Sequence, residues 1–283
     1  MIRLPEPYAE KDDDFVSEIL DCCINGYSRS PEKRTRLEAC RDIVIDASSV
    51  YRRSMPVNIA AAMTAGRRSN CEVVVDAYDQ KLSCKKAAAR KYYDNILIGG
   101  KKAGCCPICE IGLPSELDHY LPKSSFPALA LTPANLVPVC SECNKIARKG
   151  DYFPKAGDEA LYHPYFEDPP AYVWLFADIR FGPELHVLYS VEASDILTRR
   201  RLARMMEVYG LNERYGLHAL GQLCSMHDCL KKWLDVGGVE NLKLNLADFR
   251  ESAEASNLNS WTAALWRAAV RQVNDLVQWL GAN

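Results

Sequence analysis

The sequence predicts an α+β protein that is mostly helical, with a zinc-stabilised segment at its centre. Three observations predict this. Apolar residues recur at three- and four-residue spacing before residue 100 and again after residue 194. Two Cys-x-x-Cys pairs, with thirty residues between them, frame the middle of the chain. Apolar alternation appears around Gly182-Pro183.

Asp14 to Tyr27 and Pro31 to Tyr51 read as helices, since Phe15, Ile19 and Leu20, then Leu37, Cys40 and Ile43, fall on one face after an acidic or proline start. Ser83 to Ile98 reads as another, with Ser83 as N-cap and Gly99-Gly100 as stop. These make an N-terminal helical region over residues 1–100. Residues 101–167 change character, with seven prolines between Pro107 and Pro154 among clustered Cys, Asp, His and Asn. Residues 168–283 begin with a β-hairpin, Tyr172–Phe181 and Glu184–Tyr189, although Trp174-Leu175-Phe176 is also compatible with a helix start. Helices follow at Asp195–Tyr209, Asn212–Val236 and Ser256–Leu280, broken at Gly210 and Gly237-Gly238. The last carries a wide apolar stripe from Trp261 and Leu265 to Leu280, read first as a core-facing side and second as a partner surface.

The 283 residues are 48% apolar and 25% charged, so disorder is not the default. A net charge of −2 excludes a globally basic nucleic-acid binder, and any such role rests on local charge. No uncharged apolar run approaches the ~18 residues of a membrane span. The first residues carry no apolar run of a secretory signal, so a cytoplasmic location is expected. Twelve cysteines in that setting point to thiols and metal ligands.

Cys106-Pro107-Ile108-Cys109 and Cys140-Ser141-Glu142-Cys143 have the two-residue gap that lets two thiolates of a tight knuckle reach one ion. Together they predict a tetrahedral structural Zn²⁺ site. Cys105 adjoins the first pair as a rival ligand, but the CPxC turn favours Cys106. Cys22, Cys23, Cys40, Cys71, Cys84, Cys224 and Cys229 are scattered and read as small buried apolar residues. A four-thiolate site has no open position, so any chemistry lies between the pairs.

Between them stand Leu117-Asp118-His119-Tyr120-Leu121-Pro122-Lys123-Ser124 and Asn135-Leu136-Val137-Pro138, then Cys143-Asn144 at the start of a short helix toward Lys149. The order CPxC, DHxxPxS, NLxPxCxxCN resembles the ββα-metal core of HNH endonucleases, a treble-clef-like unit. The strings LDHYLPKS, NLVPVCSECN and HPYF resemble nuclease subunits of Septu-type and retron-associated anti-phage systems. The motifs span roughly residues 103 to 165, with a weaker echo around Val208–Asn212. The resemblance implies a nucleic-acid phosphodiesterase, with DNA preferred over RNA as substrate, acting in defence beside an ATPase partner. It implies His119 as base, Asp118 and Asn144 as ligands of a catalytic Mg²⁺ or Mn²⁺, and Asn135 as the residue that orients His119.

The residues support those roles chemically. An imidazole titrates near the working pH, and Asp118 offers the hard oxygen that such cations prefer. Adjacent residues of a strand point to opposite faces, so Asp118 and His119 need a distortion or a shared helix to act together. Asn144 falls where many HNH proteins have His, and an amide oxygen suits Mg²⁺ better than Zn²⁺. Asn135 also reads as a turn residue. His163, in Tyr162-His163-Pro164-Tyr165-Phe166, reads either as an added contact to metal or phosphate or as a structural loop histidine.

Residues 85–155 hold eleven Lys and Arg against six Asp and Glu. Among them Lys123, Lys145, Arg148 and Lys149 are candidate phosphate contacts. Two other readings stay open: a non-catalytic zinc module that binds nucleic acid or protein, and a helical interaction protein stapled by zinc.

Overall fold

The computed structural model describes residues 1–8, 12–68, 70–146, 160–182 and 184–282, in two compact units, 2–168 and 169–283. Arg148 and Lys149 lie outside the described residues. The protein is mostly helical with two small antiparallel sheets.

In the first unit α1 spans Asp12–Asn25 and buries Phe15, Ile19, Leu20 and Cys23. The single helix expected over Pro31–Tyr51 is two: α2 (Pro31–Ala39) and α3 (Arg41–Ser54). They meet at Cys40, whose N–H bonds back to the carbonyl of Leu37. Two short helices without a sequence signal of their own follow. These are α4 (Ile59–Gly66), capped by Asn58, and α5 (Glu72–Ala77), which runs into a π-helical turn, Tyr78–Leu82.

Helix α6 is Arg90–Lys101, so it starts seven residues later than expected and runs through Gly99-Gly100. Ser83 caps nothing: its hydroxyl donates to the carbonyl of Asp79 (3.1 Å). Gly100 is a packing residue rather than a stop, because a Cβ there would stand 2.2 Å from that of Pro138. The glycine lets α6 press on the strand that carries Pro138.

That strand is β2 (Leu136–Val139), paired antiparallel with β1 (Glu116–His119) in the register Glu116↔Val139 to His119↔Leu136. α7 (Ser141–Ile146) follows β2 at once, beginning before Cys143. All four positions of β2 are buried, whereas β1 alternates, with Leu117 and His119 inward and Glu116 and Asp118 half-exposed.

In the second unit the expected hairpin forms as β3 (Leu175–Arg180) and β4 (His186–Val191). Asp195 caps α8 (Ile196–Val208), and Gly210 at φ +57° separates it from α9 (Leu211–Ser225). The helix expected over Asn212–Val236 breaks at Met226. α10 (His227–Ser256) then kinks where Gly237 and Gly238 leave helical geometry. The last expected helix is α11 (Trp261–Arg271), capped by Ser260, and α12 (Val273–Ala282). Leu265, Trp266, Ala269, Val273, Leu276 and Leu280 of its stripe are buried, which is the core reading. Cys224 and Cys229, expected inside, are exposed. Among the described residues no helix is long and apolar enough to cross a membrane.

Candidate active site

The two knuckles converge. Cys106, Cys109, Cys140 and Cys143 are buried, and their sulfurs lie within 4.8 Å of one another. The first knuckle closes through the Cys106 N–H to the Gly112 carbonyl (2.7 Å) and the Glu110 N–H to the Cys106 carbonyl (2.9 Å), with Glu110 at φ +59°. In the second the Cys143 N–H points at the Cys140 sulfur (3.4 Å).

Four sulfurs each 2.3 Å from one ion stand about 3.8 Å apart in a tetrahedron, and the Cys109 and Cys140 sulfurs are 3.7 Å apart. The donor set fits zinc. The four thiols are close enough to hydrogen-bond one another. Hydrogen bonds from Cys106 above all hold the Cys109 thiol down to about 6 and the Cys140 thiol lower still. The Cys106 and Cys143 thiols are driven up, by hydrogen bonding to Cys109 and Cys106 respectively. Cys105 lies outside the cluster, half-exposed, with its thiol raised by burial.

His119, at the end of β1, is buried. Its Nε2 is 3.0 Å from the carbonyl oxygen of Ala130. A carbonyl only accepts, so Nε2 carries the proton and Nδ1 is the basic nitrogen. The ring of Tyr78 stands edge-on at 4.4 Å.

Fully buried Asn135 staples the loop between His119 and Ala130. Its Oδ1 accepts from the Leu121 N–H (2.8 Å), and its Nδ2 donates to the carbonyls of Leu121 (3.1 Å) and Leu129 (3.3 Å). It therefore fixes the loop whose Ala130 carbonyl faces His119.

Asp118 shares the outward side of β1 with Glu116, and the Glu116 carboxylate accepts from Asn144 Nδ2 on α7. Glu116 and Asn144 thus meet between β1 and α7, and Asp118 lies two residues along the same side of β1. Glu116 was missed in the sequence, although its place two residues before Asp118 fixes the shared side. Among the described residues the four cysteines are the only group of three or more His, Cys, Asp or Glu gathered closely enough to hold an ion.

The free edge of β1 is closed by two tyrosines that no spacing announces. Leu117 stands opposite Pro138, which has no N–H to offer. Its own N–H bonds to the hydroxyl of Tyr93 on α6 (2.9 Å), and its carbonyl accepts from the hydroxyl of Tyr78 (3.2 Å). Burial holds the Tyr78 hydroxyl well above its ordinary pKa, so it stays a donor.

His163 is fully buried. Its Nδ1 accepts from the Tyr165 N–H (3.2 Å), its Nε2 lies 2.9 Å from the Tyr51 hydroxyl, and Tyr120 packs on its ring at 4.2 Å. That is the bonding of a core histidine. Lys123 is ion-paired with Asp79 and sits 4.7 Å from the Tyr78 ring centroid. Lys145 is exposed on α7.

Fold and site together define a mostly helical protein whose central segment carries a buried four-cysteine group suited to zinc. No protein-family model matches the chain, and no solved structure does. Over 119 residues it is 34% identical to Protein ea31 of Escherichia phage lambda, a stretch covering 41% of this chain and 39% of that protein. Over 106 residues it is 29% identical to Septu protein PtuB of Bacillus thuringiensis, covering 36% of this chain and 38% of that one. The chain thus spans about two fifths of the length of the curated relatives it matches.

Proposed function

We propose that the chain is a metal-dependent HNH-type endonuclease, with β1, β2 and α7 as its ββα-metal core, acting on DNA in anti-phage defence. The observation that carries this reading is the set of bonds around His119. Nε2 is fixed on Ala130 and the loop that carries Ala130 is stapled by Asn135, so one tautomer of the imidazole is held at the end of the strand that also bears Asp118. His119 takes a proton from water through Nδ1. Asp118 and Asn144, with Glu116 beside them, hold a divalent cation. Mg²⁺ or Mn²⁺ there supplies charge stabilisation at the scissile phosphate. Zinc at the four cysteines fixes β2 and α7 and takes no part in the chemistry. His163 serves the core. The similarity to a Septu protein supports the defence role, and an ATPase partner is what the motif resemblance implies.

The test is cleavage of plasmid DNA and total tRNA by the purified protein, with Mg²⁺ or Mn²⁺ and with EDTA. His119→Ala and Asp118→Asn, checked for unchanged zinc content, are assayed beside it. Divalent-dependent cutting lost in both folded variants is the expected result. Equal cutting by wild type and variants sinks the assignment. One observation favours a second reading, a non-catalytic zinc module: the absence of a second close ligand group among the described residues. That reading predicts wild-type protein inert on both nucleic acids even with an ATPase partner added.

A further inference from the structure

Between the π-helical turn and α6 the chain makes a turn carrying Lys85 and Lys86, both exposed. Lys91 is exposed at the start of α6. Residues 81–91 contain five basic residues and no acidic one. The neighbouring charges are committed elsewhere. Arg90 bonds Asp94 (2.8 Å) and the Ser83 carbonyl, Lys123 pairs with Asp79, Lys81 donates to the Gly26 carbonyl (2.7 Å), and Lys91 rests 4.8 Å from the centroid of Tyr92. With Asp79 and Asp94 occupied, Lys85 and Lys86 project an unbalanced positive field.

The turn is also held in place. Tyr78 precedes it and Tyr93 follows it, and both hydroxyls bond the same residue, Leu117. The sequence neighbour of Leu117 is Asp118. A double clamp on one residue therefore ties both ends of the segment that carries the basic turn to the edge of the strand bearing Asp118 and His119.

We propose that Lys85 and Lys86 form a phosphate-binding element that seats the backbone of duplex DNA beside β1. This rests on the nuclease reading above and adds the surface through which substrate arrives. Compact ammonium groups on flexible stems follow phosphates without reading bases, so the contact is independent of sequence.

Binding, measured apart from cutting, tests it. Full-length His119→Ala protein is titrated with a fluorescent 20-base-pair duplex across a salt series. The same protein carrying Lys85→Ala/Lys86→Ala, Lys85→Arg/Lys86→Arg, or, as a control in the other unit, Lys232→Ala/Lys243→Ala is titrated alongside. The alanine pair is expected to weaken binding roughly tenfold at moderate salt and to lower the slope of log K against log salt by about two. The arginine pair should restore both, and the control should change neither. An alanine pair that matches its parent, or a parent that binds no duplex, overturns the proposal. Failure of the wild type to cut plasmid overturns the nuclease reading and leaves the binding result to be judged by itself.

Discussion

The two hairpins of this chain solve the same problem with opposite means. β3 and β4 have six residues each and a regular alternation that puts Leu175, Ala177, Ile179, Val187 and Tyr189 inward. That alternation gives the pair an apolar face of its own. β1 and β2 have four residues each, and β2 is buried throughout. One of the inward positions of β1 is a histidine, and its connecting loop is shaped by an asparagine with no exposure. So small an apolar face cannot order the first hairpin. The cysteine cluster, Asn135 and two tyrosines do that. The first strand pair leans on clustered cysteines and buried hydrogen bonds where the second has an alternating apolar face.

Removing the metal should separate the two hairpins most sharply. A structural zinc contributes on the order of 10 kcal/mol to the fold it holds. Chelation, or Cys140→Ser, should therefore abolish amide-exchange protection at β1 and β2 while β3 and β4 keep theirs. Simultaneous loss in both would break the contrast.

Next in size is Asn135→Ala, which orphans the N–H and the carbonyl of Leu121 inside the loop, while the Leu129 carbonyl keeps its bond from the Thr132 N–H, and should cost about 3 kcal/mol. The lowered Tm should come with lost cleavage in the assay above. A smaller effect belongs to the second hairpin. Gln272 accepts from the N–H of Ile179 (3.0 Å) and donates to its carbonyl (2.8 Å). Gln272→Ala should cost about 1–2 kcal/mol by denaturant unfolding and leave zinc content untouched.

Smallest is Tyr78→Phe, which removes one bond to Leu117 and keeps the ring against His119. It should cost about 1 kcal/mol. A larger loss of cutting than of stability would show that the hydroxyl positions β1.

What could be read from the sequence follows the range of each interaction. The four ligands were legible because the geometry of a knuckle is local, and so was the hairpin at Gly182. The helix start at Asp195 and the breaks at Gly210 and Gly237-Gly238 were legible too, but other helix ends were not. Gly100 looks like a stop until Pro138 is seen against it, and the break at Met226 has no proline or glycine to mark it. Tyr78 and Tyr93 could not be read, since their partner is a peptide group twenty and more residues away and leaves no side-chain pattern. Glu116 was legible from strand parity alone. Cys224 and Cys229 were misread because cysteine's preference for interiors is a statistical habit, and here both lie on exposed helical surface.

The capped strand edges bear on how this molecule meets others. Leu117 is tied to Tyr78 and Tyr93. The outer side of β3 is occupied in series by Asn259 at Trp174 and Leu175, Arg267 at Leu175, Arg271 at Ala177 and Gln272 at Ile179. On β4 Asn212 takes the Tyr189 N–H, and Gly216 brings α9 so near that a Cβ would lie 2.6 Å from the Val187 carbonyl. A peptide adding itself as a further strand would have to evict these side chains first. The described hairpins are thereby shielded from amyloid-like stacking, and recognition of the chain falls to its side chains and helix surfaces.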